Sequence, residues 1–432
     1  MGKRVLPIGF CGESMRVVVL GAGVIGVSTA WFLAERGHQV VVVDRASGAA
    51  RETSFANGGQ ISVSQSEPWA NPRAPWRVLS WLLRDDAPLL FRPRLDARQW
   101  RWGLDFLREC MPGRSERNMR QMVALGLYSR DTLRGLRREL GIDYQQLQRG
   151  ILTLLFSPAE LAQARNVCER MRALGVEKSL LTPLQALERE PALARIQPEL
   201  SGACWSPDDE SGNVHLFTVA LAQACALRGV EFRFQTRINA LECADGAVSG
   251  VSVTAADGAY GRIEADAYVL ALGSYSSLLA AQAGLRLPVY PAKGYSATLP
   301  ILDAAAAPLT SITDEAHKVV VSRLGDELRI AGTAELSGYS THLEPRRCDL
   351  LLQRGRALFG DACDWEHARF WSGLRPATPG NVPLIGPSRL RRLYLNTGHG
   401  TLGWTEGAGS GRALAEIISG ETPALDFEFC RA

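Results

Sequence analysis

The sequence predicts an α/β fold in two domains. Three observations carry this. A β-branched run, a glycine-rich turn and a helix-like stretch follow one another within residues 16–44. Segments with strand-like alternation, 150–156, 288–299 and 317–333, stand apart from that front end and predict a second, mixed antiparallel sheet. A chain of 432 residues also exceeds what one ordinary hydrophobic core organises.

Composition narrows the class. Hydrophobic content of 46% with 22% charged residues is that of a globular protein in water. The net charge of +3, without a clustered basic face, argues against nucleic acid as a partner. Nine cysteines form an odd set with no C-x-x-C and no pairing with histidine at metal-ligand spacing. They predict a reducing compartment, no metal site and mostly packing roles. The longest apolar stretches are strand-sized or broken by charge, so no membrane span is expected. Residues 1–14, MGKRVLPIGFCGES, read as an N-terminal extension lacking signal-peptide character, with Met15 the expected natural start.

The front end reads element by element. Residues 16–20, RVVVL, predict a buried parallel strand. Gly21-Ala22-Gly23-Val24-Ile25-Gly26 then supplies G-x-G-x-x-G, and helical spacing runs to Arg36 before Gly37. A second strand, 39–43, ends at Asp44. Gly21 permits a tight turn, Gly23 lets backbone approach a pyrophosphate, and Gly26 lets helix and strand pack closely. Free N–H groups at the helix start attract the phosphates, and Asp44 is placed for ribose hydroxyls. This is a Rossmann-like dinucleotide unit. Asp44 disfavours a 2′-phosphate and so NADP, while FAD and NAD both remain open at this point.

Further along, 214–226 predicts a helix, 229–234 a strand, 248–253 and 262–263 a meander, and 267–273 a buried strand ending in glycine. Helical stretches are expected near 97–111, 116–140 and 159–174. Residues 66–110 hold Trp69, Trp76, Trp81, Trp100 and Trp102, interleaved with eight arginines from Arg73 to Arg108. Aromatic rings among basic residues suit a membrane interface, but equally an aromatic cover packed on the second domain.

Two further segments carry a resemblance. Ser54-Phe55-Ala56-Asn57-Gly58-Gly59-Gln60-Ile61 follows the second strand, and Gly398-His399-Gly400-Thr401-Leu402-Gly403-Trp404-Thr405 precedes a final helix-like run to Ile418. With the front motif they resemble the D-amino acid oxidase and glycine oxidase superfamily. PVYPAKGYS (288–296), FWSGLRPATPG (370–380) and LNTGHGTLGWT (395–405) narrow the resemblance to the bacterial D-amino acid dehydrogenases. It implies an FAD-binding domain from 15–95, 207–280 and 372–432, and a substrate domain from 96–206 and 281–371. No histidine or cysteine stands in a recognisable attachment motif, so the implied FAD is non-covalent.

The implied cofactor contacts are Gly21, Gly23, Val24, Ile25, Gly26, Asp44 and Arg45 at the front. Ser54, Asn57, Gly58, Gly59 and Gln60 follow, with Ile238 and Gly273 from the middle and Gly398, Gly400, Thr401 and Leu402 from the end. Thr401 and Leu402 are expected to offer backbone N–H groups near a flavin carbonyl. Arg375, in Gly373-Leu374-Arg375-Pro376, is implied to grip a substrate carboxylate, for which a guanidinium offers a bidentate fork. Tyr295 is expected to donate to the same carboxylate or line the pocket, with strand packing as its alternative. Lys293 is expected at the flavin edge. His399 is expected to touch flavin or substrate or to shuttle a proton, with loop ordering as its alternative. His215, His317, His342 and His367 sit in no constellation.

The resemblance implies oxidative deamination of D-amino acids to 2-oxo acids and ammonia, with electrons passed to a quinone or other carrier. It also implies a cytoplasmic protein, peripheral on the inner face of the inner membrane through residues 66–110. An oxidase that uses dioxygen, a dehydrogenase of hydroxylated D-proline, and a flavin-bound electron-transfer subunit without its own substrate remain as alternatives.

Overall fold

The computed structural model describes residues 14–76 and 89–430. Residues 1–13 of the expected extension, and Trp81 with its neighbours, lie outside the described residues.

The front half of the fold is a six-stranded sheet. In spatial order its strands are Leu384–Pro387, Leu393–Thr397, Ala267–Leu270, Arg16–Leu20, Gln39–Val43 and Glu231–Arg233. The last five run parallel, and only Leu384–Pro387 is antiparallel to its neighbour. Arg16–Leu20 and Gln39–Val43 are runs of valine buried on both faces, as a parallel strand between helical layers requires. Helix Val24–Glu35 is apolar nearly all round, because it is sandwiched between the sheet and helix Gly403–Ile418.

The other half is a nine-stranded mixed sheet. Its path runs Arg369–Ala377, Tyr290–Pro300, Glu327–Leu336, Val319–Leu324, Ser311–Asp314, Ile151–Leu155, Gly202–Ser206 and Ser179–Leu181, with Leu89–Phe91 paired to Glu327–Leu336. Residues 317–333 alternate like one long strand, yet they form a hairpin, Val319–Leu324 with Glu327–Leu336, turning at Gly325 with φ +62°. Tyr295, Ala297, Val321 and Ile330 pack on one face of this sheet with Leu351 and Leu358 of helix Pro345–Phe359.

The two cores draw on elements that the sequence sets apart. Helix Pro112–Leu140, grouped by sequence with 96–206, buries Leu125, Leu133 and Leu136 in the same cluster as Trp31, Trp404 and Leu414. Leu89–Phe91, grouped with the front end, joins the nine-stranded sheet. Periodicity reveals that these segments have an apolar face, but not which core receives it.

Candidate functional site

A cavity of about 1500 Å³ lies between the two sheets. Its floor follows from strand direction. Four neighbouring parallel strands end at it: Leu20 leads to Gly21, Val43 to Asp44, Leu270 to Ala271–Gly273, and Thr397 to Gly398. The carboxyl edge of a parallel sheet is where backbone turns and helix N-termini converge on a ligand.

Every residue of the sequence-predicted set lines this cavity except Lys293 and Gly26, the latter a packing glycine. A Cβ on Gly26 would lie 1.9 Å from Gly21 O, and one on Gly21, at φ +111°, would lie 2.5 Å from Ala271 O. Around Gly23, the N-cap of the first helix, only Ser54 Oγ comes within 4 Å, so the space above it is open. Ser54 Oγ accepts from Val24 N at 3.1 Å. Asp44 is already engaged: its Oδ2 accepts from Ala22 N at 2.7 Å and its Oδ1 from Ala46 N at 2.8 Å. Each oxygen keeps a further lone pair for a ribose hydroxyl. Arg45 pairs with Glu52 and lies 4.2 Å over the Tyr275 ring.

The middle of the cavity is tied to its roof. Asn57 Oδ1 accepts from Gly59 N at 3.0 Å, which shapes the turn. Gln60 Nε2 donates to Ser311 Oγ and Thr313 Oγ1 at 2.9 and 3.1 Å. Leu402 N donates to His399 O at 3.0 Å, so this amide closes a turn rather than standing free for a flavin carbonyl.

The roof separates its cations by strand alternation. Arg375 pairs with Ala292, and its guanidinium lies across Gly294, where a Cβ would meet Cζ at 2.3 Å. Its Nη1 donates to Thr333 O at 2.8 Å, and among the described residues no carboxylate pairs with it. Burial without an acid pulls its pKa down from the ordinary arginine value to about 10. The carbonyl is available because the ladder between Tyr290–Pro300 and Glu327–Leu336 slips at Lys293/Tyr295, where Thr333 takes φ +56°. Sequence offers no signal for Thr333, since its contribution is a backbone group at an irregularity of pairing.

The expectation for Lys293 changes, and the Tyr295 hydroxyl takes the packing alternative. Lys293 and Tyr295 alternate to the face opposite Arg375. Tyr295 Oη donates to Glu335 Oε2 at 2.8 Å, and Lys293 Nζ sits 3.2 Å from the same oxygen and donates to His342 O. Lys293 does not line the cavity, and the Tyr295 hydroxyl is committed to Glu335 rather than to a ligand.

His399 lies in the cavity wall, 2% exposed, and among the described residues neither Nδ1 nor Nε2 has a partner. Burial drives its pKa down to about 3, so it is neutral at working pH. Three other histidines have local partners: His215 the Ala50 carbonyl, His317 Asp314, and His367 Asp364.

The donor set fits FAD. Open space over Gly23 at a helix start suits a pyrophosphate, the free lone pairs of Asp44 suit a ribose, and the unpartnered buried His399 and Thr333 Oγ1 await a polar ligand. No group of three or more histidine, cysteine or acidic side chains able to hold a metal occurs among the described residues.

Known proteins agree with this geometry. The family model described as FAD dependent oxidoreductase matches residues 16–417. A D-amino acid dehydrogenase of Dechloromonas aromatica is 51% identical over 417 residues, 96% of this chain and 100% of that protein. A D-amino acid dehydrogenase of Paramagnetospirillum magneticum is 50% identical over 415 residues, 96% of this chain and 97% of that protein. Glycine oxidase from Geobacillus kaustophilus superposes with a TM-score of 0.74 at 23% identity, covering 97% of this chain and all of that one. At that identity the superposition speaks for the fold. The chain belongs to the FAD dependent oxidoreductase family.

Proposed function

We propose that this chain is a D-amino acid dehydrogenase, which oxidises the α-carbon of a D-amino acid and hands the electrons to a quinone or another carrier. The observation that carries it is Arg375, a cation turned into the cavity with one backbone acceptor and, among the described residues, no acid. A buried guanidinium of this kind is completed by an anionic ligand, and a carboxylate matches its fork.

FAD, when bound, supplies a flavin N5 that accepts hydride. The residues proposed to hold it are those already placed along the floor, from Gly21 and Gly23 through Asp44 to Gly398 and Gly400. Arg375 holds the substrate carboxylate, and Gly294 leaves the room its guanidinium needs. His399, neutral, presents one donor and one acceptor nitrogen to the same cavity. It is placed to orient the amine or a flavin atom, and not to act as a permanent cation. Tyr295 acts from behind, through Glu335, as a packing and positioning residue. Loss of hydride from the α-carbon and of a proton from nitrogen leaves an imine. Water then converts it to a 2-oxo acid and ammonia.

The domain division proposed is functional: the six-stranded sheet carries the cofactor and the nine-stranded sheet roofs the substrate. The cavity mouth supports an apolar electron acceptor reached from a membrane surface. Helix Ala97–Glu109 buries Trp102 and leaves Trp100, Leu104 and Leu107 about half exposed, all three lining the cavity, with Arg98, Arg101 and Arg108 alongside. No helix among the described residues is long and apolar enough to cross a membrane. A peripheral position on the cytoplasmic face of the inner membrane accords with this.

The test is anaerobic mixing of FAD-loaded protein with D- and L-amino acids while following the visible flavin absorption. Bleaching by D-acids and not by their L-forms is expected. Flavin that no amino acid bleaches would overturn the reading.

A further inference from the structure

The described cysteines are all unbridged, and two of them stand together. Cys168, on helix Pro158–Ala173, and Cys204, on strand Gly202–Ser206, have their Sγ atoms 3.7 Å apart. They come from segments 36 residues apart and meet in a small apolar cluster with Leu155 and Ala164. Both are almost wholly buried, at 1% and 3% exposure, yet Cys204 forms part of the cavity wall.

Their position in the cavity follows from the sheet. Along the roof, Thr313 pairs with Thr153 and Thr153 with Cys204. The strand of Cys204 is six steps from that of Arg375 in the sheet order, or roughly 29 Å at about 4.8 Å per step. This arm of the cavity is lined by Gln163, Ala164 and Val167 of the helix, by Thr153, and by Lys178. The proposed substrate chemistry at Arg375 makes no use of it.

Chemistry distinguishes this pair from the other cysteines. The contact with the partner sulfur, reinforced by the charge of Lys178, holds Cys168 below the ordinary thiol range. The same interaction, with burial, pushes Cys204 up. Cys110, Cys225, Cys348 and Cys363 are buried in apolar surroundings, which push them up instead.

We propose that Cys168 and Cys204 are a redox-active dithiol at the far end of the cavity, which a peroxide oxidises to a disulfide. The Cys168 thiolate attacks the peroxide O–O bond, giving the sulfenic acid and, after protonation of the leaving oxygen, one water. The Cys204 thiol then displaces hydroxide from that sulfur, and its proton leaves with the hydroxide as a second water. Two thiols and one hydrogen peroxide become one disulfide and two waters. The sulfurs close from 3.7 Å to a bond length of about 2.05 Å. The bond ties helix Pro158–Ala173 to the roof and fixes the width of the arm that the helix lines.

The experiment is treatment of FAD-loaded protein with one equivalent of hydrogen peroxide, alkylation of remaining thiols under denaturing conditions, and peptide mapping before and after dithiothreitol. A Cys168–Cys204 linked peptide pair is expected to form about tenfold faster than any modification of the exposed Cys243, and to vanish on reduction. In Cys204→Ser, a dimedone adduct should appear at Cys168 in place of the linked pair. Oxidation that reaches Cys243 first, with no linked pair, would overturn the proposal. So would a Cys204→Ser protein whose Cys168 takes no dimedone while remaining folded with its flavin bound.

Discussion

The two faces of the nine-stranded sheet treat their polar groups in opposite ways. On the far face, Lys293, Tyr295 and Arg92 converge on the carboxylate of Glu335, and each side chain finds a partner. On the cavity face, among the described residues, Arg375 has one backbone acceptor, while Thr333 Oγ1 and both nitrogens of His399 have no partner. Lys293 and Arg375 lie on paired neighbouring strands, with Lys293 opposite Leu374 and Arg375 opposite Ala292. One residue of alternation decides which cation is neutralised and which stays available. Buried polar groups left incomplete mark where a ligand belongs, and completed ones mark where structure is held.

The contrast can be broken from either side. The largest expected effect is Arg375→Ala. It should cost about three orders of magnitude in kcat/KM for amino acids, as expected for truncating one partner of a buried charge pair. FAD content should stay unchanged, read from the visible spectrum. A near-wild-type kcat/KM would remove Arg375 from the site. On the far face, Glu335→Ala strands Lys293 without its carboxylate and should destabilise by about 3–5 kcal/mol, read by urea unfolding. Any loss of activity there should track unfolding.

Gly294→Ala is a sharper probe, because it disturbs the position of Arg375 without removing it. The added Cβ would lie 2.3 Å from Cζ, so the guanidinium must shift. A rise in KM of about ten- to a hundredfold is expected with FAD still bound.

The smallest effect concerns pH. Burial holds His399 near 3 in the fold, against an ordinary 6.5 when unfolded. Between those values the unfolded chain binds the extra proton, so stability falls as pH drops below about 6.5. His399→Asn removes that titration and should flatten the thermal-midpoint profile between about pH 7 and 5. Glu335 acts lower. Burial raises its pKa, but the Tyr295 hydroxyl and Lys293 outweigh this and hold it below its ordinary 4.5. Its contribution is present above that value and is lost as pH falls through the depressed one. An unchanged slope in His399→Asn would mean that the imidazole is not held neutral by the fold.

Much of the site was legible in the chain. The strand Arg16–Leu20, the glycine turn, the helix from Val24 and the strand ending before Asp44 all follow from local pattern, because each depends on neighbours within a few residues. Sequence motifs also pointed to Arg375, the 54–61 segment and the terminal glycine loop. Lys293 was expected at the flavin edge, but alternation along Tyr290–Pro300 turns it, with Tyr295, to the face opposite Arg375, where the Tyr295 hydroxyl takes the packing alternative. Among the described tryptophans of 66–110, Trp102 donates to Ala377 O and is buried, while Trp76 stands 77% exposed.

The amino-acid sequence by itself determined the dinucleotide unit, the kinds of residue at the site and the existence of a second sheet, since spacing and composition carry those directly. Only the tertiary structure decided that Arg375 lacks an acid, that His399 is buried without partners, and that Cys168 meets Cys204. These depend on contacts between residues 36 or more positions apart, whose geometry is set by strand pairing and helix packing and leaves no periodic trace along the chain.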